Sequence, residues 1–364
     1  MDQKTYEYKD LDTKYDEYSA PFFSISVGGK VLSENGVIVT SLEVEQSADG
    51  RAGGCSFVID GQYNHEHSKW ENQVLELIKP GAILEIRGGY VRDKVLFFGY
   101  IDDYTIEFEG NSAPRLSVSG LDGLGYLMSF REPMYAGQRE TAAIVKSILQ
   151  KSVSAGVANK VTIGNLPNFE TPILKEQVDD WKFLNLMARR CGVTLFALDG
   201  ELIFDNVASR TTPIMTLARG RGLMSFRKQV SLAHQVGKVL ILGRDAEQNA
   251  ISGQASTVSL GGTGKTAVQL FPDLSKTALR EFSEFVRTQE ECTLLAQSRL
   301  DSIAMGLVSG GGTCLGIPEL IPGRYVKIDG LDSQSNGTYF VTKVRHLFEQ
   351  NGYHTSFEIK GARA

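Results

Sequence analysis

Residues 261–266, Gly-Gly-Thr-Gly-Lys-Thr, have the residue types that bind a nucleotide phosphate. In such a loop, glycine N–H groups and a lysine bind the phosphates, and a helix begins directly afterwards. Here Ser259 stands where the first glycine of the motif belongs, residues 254–258 are too polar for a buried strand, and Pro272 follows soon after. The pattern therefore favours a flexible loop inserted in a β-barrel over a nucleotide site.

Histidines are the second set of residues that could do chemistry. Residues 65–67, His-Glu-His, would place two imidazoles on one face of a strand, but they lack the spacing of a helical zinc site. His234, His346 and His354 stand apart from any recognisable serine or cysteine nucleophile, and the last two are expected to pair across the final hairpin. We therefore predict no catalytic, cofactor-binding or metal-binding residues, and we expect that the chain is not an enzyme.

Size, charge and cysteine pattern exclude several other classes. A length of 364 residues suggests two or three domains at roughly 150 residues each. The formal net charge of −5 disfavours nucleic acid and anionic membranes as partners. The four cysteines lie far apart, so we expect buried, reduced thiols. No stretch resembles a signal peptide or a membrane span of ~20 apolar residues, which predicts synthesis in the cytoplasm and no membrane insertion.

The elements around these residues include two β-modules of one design. Each has a Pro-Gly turn before an alternating apolar run, at Pro80-Gly81 and at Pro322-Gly323. Each continues with a glycine that opens a strand, a turn of Asn and Gly, and a last alternating strand ending in glycine. These positions are Gly99 and Gly337, Gly110-Asn111 and Asn351-Gly352, and Gly120 and Gly361. Two such modules in one chain indicate a protein that presents the same surface twice.

Between the modules the pattern changes to helices. Residues 141–153 have apolar side chains at helical spacing, and a second amphipathic helix begins after Asp179-Asp180 and ends at Cys191-Gly192. Asp199-Gly200 is then predicted to be the turn of a hairpin. This middle region is therefore predicted to be a small α/β domain.

The expected fold class is α+β and predominantly β, with two β-barrels, a small α/β domain between them and a long helix inserted in the second barrel. The predicted segments are an N-terminal arm at 1–20, the first barrel at 21–125, the α/β domain at 126–210, and the second barrel at 211–364 with a loop at 245–270 and a helix at 275–305. The arm is polar and rich in tyrosine, so it is either a frayed tail or a strap that becomes ordered on a partner.

The stretch 176–193, EQVDDWKFLNLMARRCGV, with the Asp199-Gly200 turn after it, resembles the phage late control D family, the hub proteins of contractile tails. The C-terminal half is similar to the same family, through Gly316-Ile317-Pro318, Pro322-Gly323 and the final hairpin. The resemblance extends from Phe22 over nearly the whole remaining chain and includes the N-terminal part of the VgrG proteins of type VI secretion.

This resemblance implies a structural baseplate hub, a homotrimer that adapts a six-fold tail tube to a three-fold spike in a phage tail, a tail-like bacteriocin or an extracellular injection system. It also implies that both β-barrels are tube-protein-like, and two such barrels in each of three subunits would give six similar docking surfaces. The implied partners are further copies of the chain, the tail tube protein, the spike protein and other baseplate proteins, but no nucleic acid. Because the sequence stops soon after its second barrel, we expect the spike to be a separate protein. The alternatives are a nucleotide-dependent enzyme using Lys265 and Thr266, or a cell-wall hydrolase at the tail tip.

Overall fold

The computed structural model describes residues 4–110, 112–136, 140–169 and 173–364, so the predicted turn residue Asn111 lies outside it. The fold class is the predicted one, α+β and predominantly β. A main sheet of thirteen strands contains segments from both halves of the chain. Along most of these strands buried and more exposed residues alternate, which is the pattern of a sheet with one face on a core.

The first module follows a short helix. Its elements are α1 (Tyr8–Lys14), β1 (Phe22–Val27), β2 (Lys30–Val31), β3 (Val39–Ser47), β4 (Gly54–Ile59), β5 (Tyr63–Asn64), β6 (Lys69–Trp70), α2 (Val74–Leu77), β7 (Ile83–Gly89), β8 (Asp93–Glu107) and β9 (Arg115–Asp122). Across the sheet the strands lie in the order β1-β7-β8-β9-β4-β3. Buried aliphatic side chains such as Leu42, Ile59, Leu84 and Ile101 belong to the hydrophobic core on which this sheet packs.

The middle region contains the helices that the sequence predicts. Its elements are α3 (Gly123–Tyr126), β10 (Met134–Ala136), α4 (Thr141–Ser154), β11 (Lys160–Ile163), β12 (Ile173–Lys175), α5 (Asp180–Cys191), β13 (Thr194–Leu198) and β14 (Glu201–Asp205). The Asp179 carboxylate accepts the Lys182 N–H at 2.7 Å and begins α5. Gly192, with φ of +68°, ends that helix. The β13–β14 hairpin is also confirmed, with Asp199-Gly200 as its turn.

The second module contains an insertion. Its elements are β15 (Pro213–Arg219), β16 (Gly222–Val230), β17 (Lys238–Arg244), β18 (Ala250–Ala255), α6 (Ala267–Leu270), β19 (Ala278–Phe282), α7 (Gln289–Ala304), β20 (Val308–Leu315), β21 (Tyr325–Asp329), β22 (Gly337–Glu349) and β23 (Gly352–Gly361). The order across the sheet is β15-β21-β22-β23-β20-β16, and a two-residue pairing of β15 with β16 closes the barrel.

The two modules repeat the same strand order, both across the sheet and along the chain. In this match β1, β3, β4, β7, β8 and β9 correspond to β15, β16, β20, β21, β22 and β23. The repeat extends to single hydrogen bonds. Gly81 N–H donates to the Ile101 carbonyl at 2.7 Å, and Gly323 N–H donates to the Val341 carbonyl at 2.9 Å. Both glycines have positive φ, +84° and +78°, which a residue with a Cβ adopts only at a cost.

The other glycines that mark both copies in the sequence are not structural counterparts. Because Ile101 corresponds to Val341, Gly99 corresponds to Tyr339, two residues after Gly337. The glycine of the Pro-Gly turn therefore has the same structural position in both modules, while the length of the loop that follows differs between them.

The structure corrects the predicted helix over 275–305. Residues Ala278–Phe282 form β19, and the helix α7 begins only at Gln289, where the Thr288 side chain accepts the Glu291 N–H at 3.1 Å. Leu279 and Phe282 have helical spacing, yet β19 pairs in parallel with β17. This pairing with a distant strand overrides the local pattern.

The predicted loop over 245–270 likewise contains regular structure. It includes β18 and the four-residue helix α6. Strands β18, β17 and β19 form a separate three-stranded sheet, which packs on α7 through buried Val239, Ile241, Cys292 and Ala296. The insertion between β16 and β20 is therefore a small α/β unit with its own core.

The N-terminal arm is a strap that packs on its own chain. Tyr6 N–H donates to the Ile214 carbonyl of β15 at 2.7 Å, and Leu11 and Tyr15 are fully buried. The Tyr15 ring contacts Tyr90 of the first module, and Tyr90 in turn contacts Tyr353 of the second. The strap, residues 4–20, therefore covers the place where the two modules meet.

The cysteines are as predicted: Cys55, Cys191, Cys292 and Cys314 are buried free thiols. Burial also raises the pKa of the Cys55 and Cys314 thiols well above its usual value, so both are protonated at neutral pH. Among the described residues, no helix is long and apolar enough to cross a membrane.

Candidate functional site

The glycine-rich loop 261–266 is fixed to the C-terminus of the chain. Lys265 N–H donates to the Ala364 carbonyl at 2.8 Å, and Ala364 N–H donates back to the Lys265 carbonyl at 2.9 Å. Thr266 caps α6, a helix of four residues. Before the loop, β18 is antiparallel to β17 rather than a central parallel strand. The loop therefore uses its backbone donors in the fold, and its geometry does not support a phosphate cradle.

Residues 65–67 form the exposed tip of the β5–β6 hairpin. The His67 ring lies 3.1 Å from the Asn64 side-chain oxygen, and the His65 ring contacts Tyr63 edge to face. Over the described ranges, no group of three His, Cys, Asp or Glu side chains is placed to hold a metal ion. This turn is a surface feature of the first module.

The predicted pairing of His346 with His354 is wrong by one residue. His346 lies opposite Thr355, and His354 lies opposite Leu347. His346 is completely buried, and its Nδ1 lies 2.8 Å from the Tyr353 hydroxyl and 3.1 Å from the Thr355 hydroxyl. Burial lowers the pKa of His346 to about 3, so the ring is neutral at pH 7. It is a core histidine held by hydroxyl groups.

Two buried acidic side chains are bonded within the fold, Asp122 where the first module meets the middle region and Asp180 inside the middle region. The Asp122 carboxylate accepts the Gly53 N–H at 2.6 Å and the Leu124 N–H at 2.8 Å, at the point where β9 leads into α3. Burial raises the pKa of Asp122 to about 7, although these hydrogen bonds favour its charged form. Asp180 at the start of α5 pairs with buried Lys175. Both acids bind groups of their own chain and act as structural links.

A wide cleft of about 740 Å³ lies between α5, α7 and the second module. Three of its charged groups are held by the chain itself: Arg299 pairs with Glu281 at 3.0 Å, and Asp301 accepts the Ser259 N–H at 2.8 Å. These contacts are structural and do not converge on a point where a ligand would bind.

The strap makes a buried polar contact with the second module. Glu319, just before the Pro322-Gly323 turn, accepts the Tyr15 hydroxyl at 2.7 Å and pairs with Lys14 at 2.5 Å. The Glu319 side chain is almost completely buried, whereas Lys14 is one-third exposed. Burial, and after it the charge of Glu319, raises the pKa of Tyr15 well above its usual value. This contact fixes the strap at the junction of the modules.

The junction itself is the antiparallel pairing of β3 with β22, here called the internal joint. Its register runs from Ser47 opposite Lys343 to Leu42 opposite Phe348. On one face the side chains are buried; they are Leu42, Val44 and Gln46 of β3 and Val344, His346 and Phe348 of β22. The Phe348 ring stacks on Tyr353 at 3.9 Å between centroids. This face is continuous with the core.

On the opposite face of the internal joint, ion pairs join the two strands, with all acids on one strand and all bases on the other. The acids are on β3 and the bases on β22: Lys343 reaches Glu45 at 2.8 Å, and Arg345 reaches Glu43 at 2.9 Å. Although burial alone would raise it, the pKa of Glu45 lies below its usual value because Lys343 and Arg345 donate hydrogen bonds to the carboxylate. The alternating Glu43/Glu45 and Lys343/Arg345 are visible in the sequence, but nothing local shows that they face each other.

Comparison with known proteins agrees with this architecture. Residues 18–350 match the family model described as the Alg8 N-terminal domain, and the chain belongs to that family. No curated protein sequence matches the chain.

Solved structures share the fold at low sequence identity. The 43 kDa tail protein of prophage MuSo2 from Shewanella oneidensis is 17% identical, covers 93% of this chain and 98% of its own, and has a TM-score of 0.68. The tail protein from Neisseria meningitidis MC58 is 13% identical, with 94% and 97% coverage and a TM-score of 0.66. The E. coli c3393 protein, a component of the type VI secretion system, is 13% identical, with 89% and 73% coverage and a TM-score of 0.53. The chain therefore has a fold that is found in tail and secretion-system proteins.

Proposed function

We propose that this chain is a structural hub of a contractile injection machine, a homotrimer that adapts a six-fold tail tube to a three-fold spike. The observation that carries the proposal is the repeat of one six-strand module, with the same strand order and the same glycine hydrogen bond at Gly81 and Gly323. Two modules in each of three subunits supply six similar surfaces, which is what a six-fold partner needs from a three-fold ring.

The fold shared with tail proteins and with a type VI secretion component supports this role. Function does not follow from fold alone, so the internal repeat is the stronger support. Its partners in this proposal are other copies of the chain, the tail tube protein, the spike protein and other baseplate proteins. The mechanism is binding, since the polar clusters described above bind groups of their own chain.

We also propose a division into an arm at 1–20, a first barrel at 21–125, an α/β domain at 126–210 and a second barrel at 211–364. In this division the insertion at β17–β19 and α7 and the α/β domain lie outside the ring of barrels. They would contact other baseplate proteins, while the modules contact the tube and the spike.

Electron microscopy of the purified protein tests the hub proposal. Class averages should show a three-fold ring in which six similar lobes surround one opening. A two-fold particle, or a ring with three lobes only, would contradict the symmetry-adaptor role. Lys265→Ala serves as the control for the nucleotide alternative, and the ring should form unchanged in that variant.

A further inference from the structure

The counterpart of the internal joint in the first module lacks a partner strand. Within the part of the chain that the structure describes, β8 pairs with β7 up to Tyr100 and with β9 up to Glu107. Beyond Ile101 the side of β8 that faced β7 is free. In the second module the same side of β22 is the one that pairs with β3. We call residues 103–108 the acidic edge, because it carries Asp103 and Glu107.

The counterpart of β3 is also left open. Strand β16 pairs with β20 along its length but with β15 only at Gly222 and Leu223. For residues 225–230 no strand lies on the other side in the described structure, and this is the side on which β3 receives β22. We call residues 225–230 the basic edge, because it carries Arg227 and Lys228. A chain therefore has one filled joint and two complementary open halves of the same joint.

Two β-bulges fix the correspondence residue by residue. The β8–β9 ladder is interrupted between Ile101 and Asp103, and the β22–β23 ladder between Val341 and Lys343. The β3–β4 ladder is interrupted between Val39 and Ser41, and the β16–β20 ladder between Leu223 and Ser225. Asp103 thus corresponds to Lys343, and Ser225 corresponds to Ser41.

Transferring the register of the internal joint to the open edges gives a specific alignment. Since Arg345 lies opposite Glu45, Thr105 would lie opposite Gln229. The remaining pairs are Tyr104 with Val230, Ile106 with Lys228, Glu107 with Arg227, and Phe108 with Phe226.

Most side chains on the open edges fit this alignment. The exception is Lys228, which would lie opposite Ile106 on the apolar face and which donates to the Gln334 carbonyl of its own chain at 2.6 Å. The buried face of the internal joint has Val344 and Phe348 at 0% and 4% exposure, but their counterparts Tyr104 and Phe108 are 38% and 63% exposed. On the basic edge Val230 is 47% exposed. These apolar side chains lie on the face that is buried in the repeat and remain exposed, although the Phe108 ring contacts Tyr63 edge to face at 5.2 Å between centroids. Such exposure is expected when a partner strand is missing.

The charges fit as well, with reversed polarity. In the internal joint the bases lie on β22 and the acids on β3. On the open edges the acids lie on β8 and the base Arg227 on β16, so Glu107 would face Arg227. Opposite charges placed directly across a strand pair stabilise it, and like charges destabilise it. The acidic edge would therefore repel another acidic edge.

We propose that the acidic edge of one copy of this chain pairs antiparallel with the basic edge of a second copy, which repeats the internal joint between chains. The contact is head-to-tail, so every copy uses both edges, and a closed set of three copies alternates three internal joints with three joints between chains. The inference rests on the proposed homotrimer and adds its residues, register and polarity.

Disulfide trapping tests this register. In the double variant Thr105→Cys/Gln229→Cys the two cysteines of neighbouring copies are directly opposite, at a Cβ separation of roughly 4.5–5.5 Å. The four native cysteines are buried and do not compete. Mild oxidation should give a covalent trimer on a non-reducing denaturing gel. Each single variant should stay monomeric on the gel, and an equimolar mixture of the two single variants should give a covalent dimer.

The outcomes separate the pairing from the hub proposal. A trimer by light scattering that forms no disulfide overturns the pairing and leaves the hub proposal standing. A disulfide in Thr105→Cys alone indicates a two-fold contact and overturns the head-to-tail polarity. A particle that is monomeric and forms no disulfide at the highest soluble concentration overturns the pairing together with its trimer.

Charge reversal supplies an independent test that does not depend on cysteine chemistry. Glu107→Arg and Arg227→Glu should each weaken association about tenfold, since each places like charges opposite one another. The double reversal restores opposite charges and should return the association constant to within about threefold of the unmodified chain. If the double variant loses as much association free energy as the two single variants together, a direct Glu107–Arg227 contact is contradicted.

Discussion

In the second module β22 passes beyond its barrel and pairs with β3, whereas in the first module the corresponding part of β8 has no strand beside it in the described structure. The backbones of the two modules are otherwise the same in strand order and in the positions of two β-bulges. What differs is the burial of the side chains along the edge. Val344, His346 and Phe348 are buried, whereas Tyr104 and Phe108 are exposed. One backbone design thus supports a joint within the chain in the second module and, in the proposed trimer, a joint between chains in the first.

The largest effect should come from the two phenylalanines that occupy the same place in the two modules. Phe348→Ala removes a buried ring that stacks on Tyr353 and should lower the free energy of unfolding by about 3–5 kcal/mol. Phe108→Ala removes a ring that is 63% exposed and touches Tyr63 edge to face, and it should lower the stability of the monomer by no more than about 1 kcal/mol. Urea unfolding at low protein concentration measures both values. Equal losses of unfolding free energy in the two variants would mean that Phe108 is packed as closely as Phe348.

The second prediction exchanges a residue of one module for its counterpart in the other. His346 corresponds to Ile106, and His346→Ile leaves the buried Tyr353 hydroxyl without its partner, which should cost about 1–3 kcal/mol at pH 7.

The same variant should show a different pH dependence. The folded-state pKa of His346 is about 3, below the unfolded value of ~6.5, so its neutral form contributes stability above pH 6.5 that is lost as the pH falls towards 3. The stability difference between the unmodified chain and His346→Ile should therefore shrink from pH 7 to pH 4. A difference that stays constant over this range would contradict the burial of a neutral histidine.

A smaller effect is expected at the strap, which covers the second module at the junction. Tyr15→Phe removes the hydroxyl that donates to buried Glu319 and should cost about 1–2 kcal/mol. Tyr18→Phe is a matched control, because the Tyr18 hydroxyl is buried without a hydrogen-bond partner in the described structure. Its loss should be neutral or slightly stabilising in thermal unfolding. If both variants lose the same stability, the Glu319 contact does not hold the strap.

Local sequence patterns were sufficient for the elements whose determinants lie close together in the chain. The Asp179 cap, the Gly192 stop and the Asp199-Gly200 turn each act within a few residues, so α5 and the following hairpin could be predicted. The Pro-Gly turns could be recognised as a repeat for the same reason.

Features that depend on distant partners could not be predicted from these patterns. Strand β19 has helical spacing and becomes a strand because β17 lies beside it. The internal joint pairs two segments about 300 residues apart in the chain. Their charges are complementary, but this becomes visible only when the two strands are known to be neighbours. Tyr15 looks like a residue of a polar arm, but its burial depends on Tyr90 and Tyr353.

In the proposed hub, a chain with two modules assembles into a ring of three. Light scattering of the purified chain across a range of concentrations measures the size of that ring. We expect a particle near three times 39.9 kDa, which shifts towards the monomer when Glu107 or Arg227 is reversed. A particle of 39.9 kDa at every concentration, or a stable dimer, would contradict it.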